Sequence, residues 1–287
     1  MFDYALYRIG QFIALALPLK IGYKIAIFVS DLHYIFARGD RRDVKRNLKV
    51  IFPEKSDREI RNIRIRMFRN FAKYLVDFFR FQKIDKEYVK KNICIENSRY
   101  FDEALSKGKG VIVLSAHIGN WELGGLAVSL SGYPLWAVVL AHKDKKVNAF
   151  FDRQRGSKSK GMKVIPMGIA VRKCFEVFKQ NEMVALVGDR DFNENGTALD
   201  FFGKASYFPQ GPAVFSLKTG ASIVPTFMVR NRDDSFTLKI EKPIEFNPSG
   251  NKEKDLLEII SRYKIIFEDY IRKYPDQWYM FRRFWIA

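Results

Sequence analysis

The stretch Gly110–Glu122, with the sequence GVIVLSAHIGNWE, decides the fold. Its first part, Val111–Leu114, is a short run of aliphatic and mostly β-branched residues, which is typical of a strand buried on both faces. Its second part places His117, Gly119 and Glu122 directly after that strand. Open α/β sheets usually bind their ligands at the carboxyl ends of their strands. The stretch therefore predicts a central strand that delivers a histidine and a carboxylate to a site.

An imidazole beside a carboxylate can act as a general base, because the acid orients one ring nitrogen while the other takes a proton. On an ideal helix His117 and Glu122 would lie about 140° apart, since each residue turns about 100°. The two can meet only if His117 lies in the loop and Glu122 in the first helical turn, with Gly119 allowing the bend. The alternative is a surface loop with a hydrogen-bonded histidine, because a single His-x4-Glu pair often arises by chance.

The composition favours a folded protein with an anionic partner. Hydrophobic residues make up 47% of the 287 residues, which is enough for a substantial core in one large domain or two small ones. The formal charge of +18, from 50 Lys and Arg against 32 Asp and Glu, calls for nucleic acid, an acidic membrane surface or an acidic ligand. Aromatic residues make up 15% of the chain, which suits a protein that lies against lipid.

Cysteine and histidine usage argues against a disulfide and against a metal site. Cys94 and Cys174 have no metal or redox spacing, so free thiols in a reducing compartment are expected. The three histidines, His33, His117 and His142, lie far apart in the sequence, which makes a zinc site unexpected. We therefore expect no metal site, and we also expect no cofactor, since the sequence encodes no site for one.

Residues 1–37 are the most lipid-like part of the chain and are expected to form a helical, membrane-associating segment ahead of an α/β domain over residues 38–287. The run Phe12–Leu19 is followed by two lysines and the apolar Ile25–Val29. No run reaches the roughly 18 to 20 apolar residues that a spanning helix needs, and the layout is not that of a cleavable signal peptide. Lysine side chains can reach headgroups while apolar faces enter the interface. We favour a monotopic anchor over a pair of ordinary core helices.

Basic residues continue after this segment. Six of them lie between residues 38 and 49, namely Arg38, Arg41, Arg42, Lys45, Arg46 and Lys49. Ser56 and Glu59 then form a capping box that predicts a helix to about Phe81, with apolar residues at helical spacing and arginines between them. Such helices are usually solvated surface elements, and contact with anionic lipid is the competing interpretation.

From Gly110 onward the pattern alternates between strands and helices. The expected strands are Val111–Leu114, Leu135–Leu140, Lys163–Ile165, Met183–Val187, Leu199–Phe202, Ile223–Val229 and Phe236–Ile240. The expected helices are Trp121–Leu130, Asn148–Arg155, Ile169–Gln180, Gly211–Thr219 and Lys252–Lys273. This alternation predicts a single α/β domain with a mostly parallel central sheet flanked by helices.

Three further segments carry side chains that suit a site. Arg153 and Arg155 end a predicted helix, where an arginine can hold an oxyanion or a phosphate, or simply interact with the helix dipole. Asp189 closes a predicted strand, so it can bind a hydroxyl, an ammonium group or the arginine, or be an ordinary turn carboxylate. Gly211 opens a helix beside aromatic residues, which suits a phosphate next to an acyl chain but equally suits packing.

Taken together and in order, these motifs resemble the bacterial lipid A late acyltransferases, a family within the lysophospholipid acyltransferase superfamily that includes mycobacterial phosphatidylinositol mannoside acyltransferases. The resemblance rests on His-x4-Glu with Asn-Trp before the glutamate, and on a series of shorter motifs. These are Arg46-Asn47-Leu48, Phe52-Pro53, Arg155 ahead of Gly161, Gly188-Asp189, Phe201-Phe202-Gly203-Lys204, Gly211-Pro212-Ala213, Thr219-Gly220-Ala221, Val224-Pro225, Pro275-Asp276-Gln277-Trp278 and Arg282-Arg283-Phe284.

The resemblance implies transfer of a fatty acyl group from acyl carrier protein, or from acyl-CoA, to a hydroxyl of a lipid A precursor or related glycolipid. It implies that His117 is the general base, that Glu122 orients it and that Arg155 steadies the thioester oxyanion. The residues expected to contact substrate are Asp189, Asn120, Trp121, Arg153 and Gly211. The implied location is the cytoplasmic face of the bacterial inner membrane, peripheral or monotopic, with the membrane surface and an anionic glycolipid as partners.

Two alternatives stay open at this level. The first is the same chemistry on another acceptor, in a lysophospholipid or phosphatidylinositol mannoside acyltransferase. The second, more distant, is a non-enzymatic basic protein that binds membrane or nucleic acid. Nucleic acid is disfavoured as a partner because no recognised binding motif accompanies the charge.

Overall fold

The computed structural model describes residues 2–156, 162–191 and 196–286. It begins with four helices, α1 (Phe2–Ala16), α2 (Leu19–Phe36), α3 (Arg38–Ile51) and α4 (Asp57–Phe79). The predicted capping box is present: the Ser56 side chain accepts from the backbone of Glu59, and the Glu59 side chain accepts from the backbone of Ser56. Helix α4 ends two residues before Phe81, where a short 3-10 helix, Phe81–Lys83, takes over.

Strands and helices then alternate along the chain, as the sequence predicts. The elements are α5 (Lys86–Asn92), β1 (Ile93–Glu96), α6 (Arg99–Leu105), β2 (Val111–Ser115), α7 (Trp121–Leu130), β3 (Leu135–Val139), α8 (Lys145–Arg155), β4 (Lys163–Pro166), α9 (Ala170–Lys179), β5 (Met183–Val187), β6 (Thr197–Phe201), β7 (Lys204–Phe208), α10 (Gly211–Thr219), β8 (Ser222–Arg230), β9 (Phe236–Ile240) and α11 (Lys252–Lys273). Further 3-10 turns span Met167–Ile169 and Pro275–Gln277.

The main sheet has seven strands in the order β1-β9-β8-β2-β5-β3-β4. Strand β2 lies in the middle, and both of its neighbours, β5 and β8, run parallel to it. Only β8 and β9 pair antiparallel among the described strands of this sheet. The predicted α/β class with a mostly parallel central sheet is confirmed.

Two strands of the structure were not expected from the pattern. Strand β1 is only four residues long, too short to show a periodicity. Strand β7 pairs with β6 in a separate two-stranded hairpin, so the expected strand Leu199–Phe202 lies outside the main sheet. The hairpin turn at Phe202 and Gly203 has φ of 57° and 79°, as a tight turn between antiparallel strands requires.

The sheet is covered on both faces. Alternate residues of β2 point to opposite sides: Ile112 and Leu114 join one buried cluster, and Val111 and Val113 join the other. Residues 111–114 are at most 5% exposed. This burial explains the continuous apolar run that the sequence shows there.

Helices α1 and α2 pack against α4 but leave much apolar surface open. Their exposed large side chains are Leu6, Ile9, Phe12, Ile21, Ile25, Phe28, Val29, Leu32, Ile35 and Phe36. Within the described ranges, no helix combines the length and apolarity needed to cross a membrane. The division of the chain at residue 37 and the membrane association of the first segment stay predictions.

Candidate active site

The loop between β2 and α7 carries the predicted base, and its shape depends on Gly119. This glycine has φ +63°, and a Cβ there would lie 1.9 Å from the carbonyl oxygen of Met228. No other residue fits without moving the β8 backbone. The backbone N–H of Gly119 donates to the carbonyl of Gln277 at 2.8 Å, and that of Asn120 donates to the carbonyl of Met228 at 2.8 Å. The predicted bend is therefore present and is held from both sides.

The strand order places Asp189 beside His117. In the parallel register of β2 and β5, Ser115 is paired with Val187. His117 and Asp189 each follow two residues later, so the two side chains meet at the same edge of the sheet. The His117 Nδ1 lies 2.7 Å from Asp189 Oδ1, and the His117 backbone N–H donates to Oδ2 at 3.0 Å. The indole N–H of Trp278 also donates to Oδ2, at 3.0 Å.

The Asp189 side chain is fully buried, whereas the His117 side chain is 22% exposed and lines a cavity. Burial alone would raise the pKa of Asp189, but the charge of the His117 ring and the hydrogen bonds from His117 and Trp278 hold that pKa below its usual value. An ionised Asp189 accepts from Nδ1–H, so a neutral His117 ring in this tautomer has Nε2 free to take a proton, and the carboxylate stabilises the ring once it is charged.

Glu122 has a different partner from the one expected. The Nε of Arg155 donates to Oε1 and Oε2 of Glu122 at 3.1 and 3.0 Å, and Nη2 of Arg155 donates to Oε1 at 2.5 Å. The two side chains are only 8% and 10% exposed. The structure thus pairs His117 with Asp189 and Glu122 with Arg155, because β5 ends beside β2 and helix α8 ends beside the first turn of α7.

The buried Nη1 of Arg155 makes no hydrogen bond within the described part of the chain, and the carboxylate oxygen Oδ1 of Asp152 lies 3.8 Å from it. Burial would lower the pKa of Arg155, but the charge of Glu122 more than offsets this and raises it. The guanidinium also lies over the rings of Phe78 and Phe151. An always-charged group with a donor that makes no hydrogen bond, lining the same cavity as His117, suits a developing oxyanion or a phosphate.

The other predicted substrate contacts separate into two groups. Trp121 and Gly211 line the cavity, and the Trp121 ring lies 5.1 Å from the His117 ring. Asn120 is buried away from it, where its side chain caps α7 by accepting from the backbone of Leu123 at 3.1 Å. Arg153 is exposed and is not part of the described cavity wall. Contact with substrate stays a prediction for these four residues and for Asp189.

A buried polar cluster that the sequence did not reveal supports this loop from behind. Asp77 of α4 accepts hydrogen bonds from Arg230, from Tyr23 and, at 3.0 Å, from the side chain of Asn120. Burial raises the pKa of Asp77, and the charge of Arg230 opposes that rise. The sequence carried one signal of this cluster, namely that Asp77 interrupts the otherwise apolar run Leu75–Phe79. The cluster joins α2, α4 and β8 to the start of α7.

The cavity has a volume of about 730 Å³ and is mainly apolar. From the loop that carries His117 it extends between α7 and the sheet, where it is lined by small and aliphatic residues that include Val113, Gly124, Gly125, Val128 and Ala137. Such a volume suits a small-molecule substrate with a long apolar part. Among the described residues, no group of three or more His, Cys, Asp or Glu side chains is placed to hold a metal ion.

His117 lines an apolar cavity and is paired with a buried carboxylate at the carboxyl edge of a mostly parallel sheet, an arrangement that suits general-base chemistry next to an apolar substrate. A sequence model described as "Bacterial lipid A biosynthesis acyltransferase" matches residues 1–286, and the chain belongs to this family. It is an acyltransferase. The alternative of a non-enzymatic basic protein is therefore wrong.

Individual relatives are distant but match over most of the chain. A phosphatidylinositol mannoside acyltransferase from Mycolicibacterium smegmatis is 26% identical over 266 residues, covering 91% of this chain and 84% of that protein. A lipid A biosynthesis palmitoleoyltransferase from Escherichia coli is 26% identical over 245 residues, covering 84% and 77%. A lipid A biosynthesis acyltransferase from Haemophilus influenzae is 21% identical over 270 residues, covering 93% and 81%.

Proposed function

We propose that this protein transfers a fatty acyl group from a thioester, carried by acyl carrier protein or coenzyme A, to a hydroxyl of a membrane glycolipid. The observation that carries the proposal is the His117–Asp189 pair, whose histidine lines an apolar cavity. The names of its relatives support the acceptor class, since they are acyltransferases of lipid A biosynthesis or of phosphatidylinositol mannosides.

In the proposed reaction, Nε2 of His117 removes the proton from the acceptor hydroxyl as its oxygen attacks the thioester carbonyl carbon. The new C–O bond forms, and the resulting tetrahedral intermediate carries its negative charge on the former carbonyl oxygen. When the C–S bond breaks, the imidazolium returns its proton to the leaving thiolate. The buried Asp189 carboxylate stabilises the imidazolium between these two steps.

Arg155 is the group best suited to the tetrahedral oxyanion. Its Nη1 is buried and makes no hydrogen bond among the described residues, with Asp152 Oδ1 3.8 Å away, while Nε and Nη2 donate to Glu122. A charged donor held in place before the reaction stabilises developing charge without reorganising, and removal of one such donor typically costs about 10²- to 10³-fold in rate. In this proposal Glu122 orients the arginine, and Asp189 orients the base.

The acyl chain would lie in the part of the cavity between α7 and the sheet. Gly124 and Gly125 face this space, and a Cβ on Gly125 would come within 2.8 Å of the sulfur of Met162. Because neither glycine has a side chain, α7 lies close to Met228 and Met162, and both glycines line the cavity. The chain would then enter between α7 and Val113 of β2 with its thioester end at His117.

We also infer that the protein works at a membrane surface, on the cytoplasmic face of the bacterial inner membrane and as a peripheral or monotopic protein. The exposed apolar side chains of α1 and α2 support this inference, because soluble monomers rarely expose such contiguous patches. The net charge of +18 would attract an anionic glycolipid, an acidic carrier protein and acidic lipid headgroups.

A reconstitution assay tests the proposal. Membranes containing the protein would receive acyl carrier protein, or coenzyme A, loaded with mixed fatty acids, together with lipid A precursor, phosphatidylinositol mannoside or lysophospholipid. Mass spectrometry should show an added acyl mass on one glycolipid, and that mass should be absent with the His117→Ala variant. Acylation of the lysophospholipid alone would contradict a glycolipid acceptor, and acylation that survives His117→Ala would contradict the assignment of the base.

A further inference from the structure

A second apolar cavity, separate from the one beside His117, lies between α1, α2 and α4. Its volume is about 400 Å³. Small residues on two of these helices, Gly22 and Ala26 of α2 and Ala72 of α4, line the cavity and leave its centre open. With Ser30, Asp40 and the exposed His33 as its polar lining residues, the cavity is apolar along most of its length.

This second cavity opens onto the exposed apolar face of the first two helices. Ile25 and Val29 line it and are themselves 37% and 55% exposed. They therefore belong both to the cavity and to the surface through which we propose that the protein meets the membrane. An alkyl chain could pass from a lipid layer into the cavity without crossing water.

The two cavities share a wall. Phe71 and Leu75 of α4 line both of them. From this wall a series of aromatic rings leads to the base: Phe71 stacks on Tyr74 at 5.5 Å, Tyr74 on Trp121 at 4.8 Å, and Trp121 meets His117 at 5.1 Å between ring centroids. A molecule held in the second cavity would thus lie one helix away from the reacting hydroxyl.

We infer that the second cavity binds an alkyl chain that the acceptor lipid already carries. The inference rests on the proposed function: the transferred acyl chain occupies the first cavity, so a chain of the acceptor needs a different place. An alkyl chain is as well solvated in a bilayer as in an apolar cavity, so its burial adds little affinity. Its binding instead fixes the depth and orientation at which the acceptor hydroxyl reaches His117.

Filling the cavity tests this inference. Ala72→Leu adds a side chain from α4 and Ala26→Leu adds one from α2, whereas Ala5→Leu adds the same side chain at an exposed position of α1 that does not line the cavity. With the acceptor that is acylated in the reconstitution assay, in its long-chain form, we expect kcat/KM to fall about 10- to 100-fold for both filling variants. It should be unchanged for Ala5→Leu, and the KM for the acyl donor should be unchanged in all three.

The same acceptor made with hexanoyl chains separates orientation from general damage. Its kcat/KM should be equal for wild type and filling variants, because its chains are too short to depend on the cavity. An equal fall for long and short acceptors would overturn the inference in favour of a disturbed catalytic loop. If the filling variants also bound acceptor-free vesicles more weakly than wild type, by the same factor as their fall in kcat/KM, the inference would be overturned in favour of a site for bulk lipid.

A binding measurement that needs no turnover keeps this inference distinct from the proposed function. A phosphatidylinositol mannoside with a photoreactive diazirine near the end of one chain should label peptides from residues 19–36 and 57–79 of wild type, and not those of Ala72→Leu. Labelling that is unaffected by Ala72→Leu would refute the cavity as the chain site, even if acyl transfer is confirmed. Absence of acyl transfer to every acceptor, with labelling intact, would refute the proposed function instead.

Discussion

The substitution Asp189→Asn examines the proposed base most directly, because an amide has nearly the same shape as the carboxylate but a different hydrogen-bonding capacity. The backbone N–H of His117 and the indole N–H of Trp278 both donate to Oδ2 of Asp189, and the imidazole faces Oδ1. An asparagine can place its carbonyl oxygen toward the first two donors and keep both hydrogen bonds. Its NH₂ group then faces Nδ1 of His117.

An NH₂ group 2.7 Å from Nδ1 forces the ring to accept there, so the proton of the neutral imidazole moves to Nε2. That nitrogen can no longer take a proton from the acceptor hydroxyl, and the imidazolium also loses its buried counter-charge. General-base catalysis of this kind contributes about 10²- to 10⁴-fold. We expect kcat to fall by that factor, which corresponds to about 2.7 to 5.4 kcal/mol of transition-state stabilisation.

The assay is a double-mutant cycle on the initial rate of acyl transfer, measured at saturating donor for wild type, Asp189→Asn, His117→Ala and the double variant. If Asp189 acts only through the ring, Asp189→Asn should cause no further loss in the His117→Ala background. Glu122→Gln is the matched carboxylate change. Its loss in rate should disappear in an Arg155 variant and should persist in the His117→Ala background, because Glu122 binds Arg155 and not His117. An Asp189→Asn rate within twofold of wild type, or equal losses in both backgrounds, would refute the assignment.

Three further predictions concern the cavity, acid stability and the membrane surface. Gly125→Val should narrow the first cavity beside the flexible Met162 side chain, so that mixed acyl donors give products with shorter acyl chains. Mass spectrometry of the products measures this, and an unchanged distribution of acyl chain lengths would contradict it. Because the fold lowers the pKa of Asp189, its ionisation contributes stability above its unfolded pKa of about 3.9 that is lost as pH falls through the folded pKa. The free energy of unfolding should therefore decrease more steeply toward acid pH in wild type than in Asp189→Asn, as urea titrations at several pH values would measure, and equal slopes would contradict this. Replacing Phe12 and Phe28, which are 73% and 70% exposed, by serine should weaken sedimentation with anionic vesicles by about 10²-fold or more while Tm stays unchanged, whereas unchanged sedimentation would place the membrane contact elsewhere.

Local sequence patterns were sufficient for the elements that frame the site. The apolar run at Val111–Leu114 predicted the buried central strand, and the helix Trp121–Leu130 was predicted with its observed bounds. Gly119 was predicted to form the bend and does so with φ +63°. These features leave local signals, namely a continuous apolar run, a helix-capping residue and a glycine, so the amino-acid sequence alone was enough to predict them.

The partners of the polar side chains depended on the tertiary structure. His117 and Asp189 are 72 residues apart, and they meet because β5 lies next to β2 in the sheet, an order that no local pattern encodes. Asp77 and Arg230 are 153 residues apart, and their pairing depends on how α4 packs against β8. A sequence shows which residue types can do chemistry. Which of them come into contact, when they are far apart in the chain, is decided by the order of the strands in the sheet and by the packing of the helices on it.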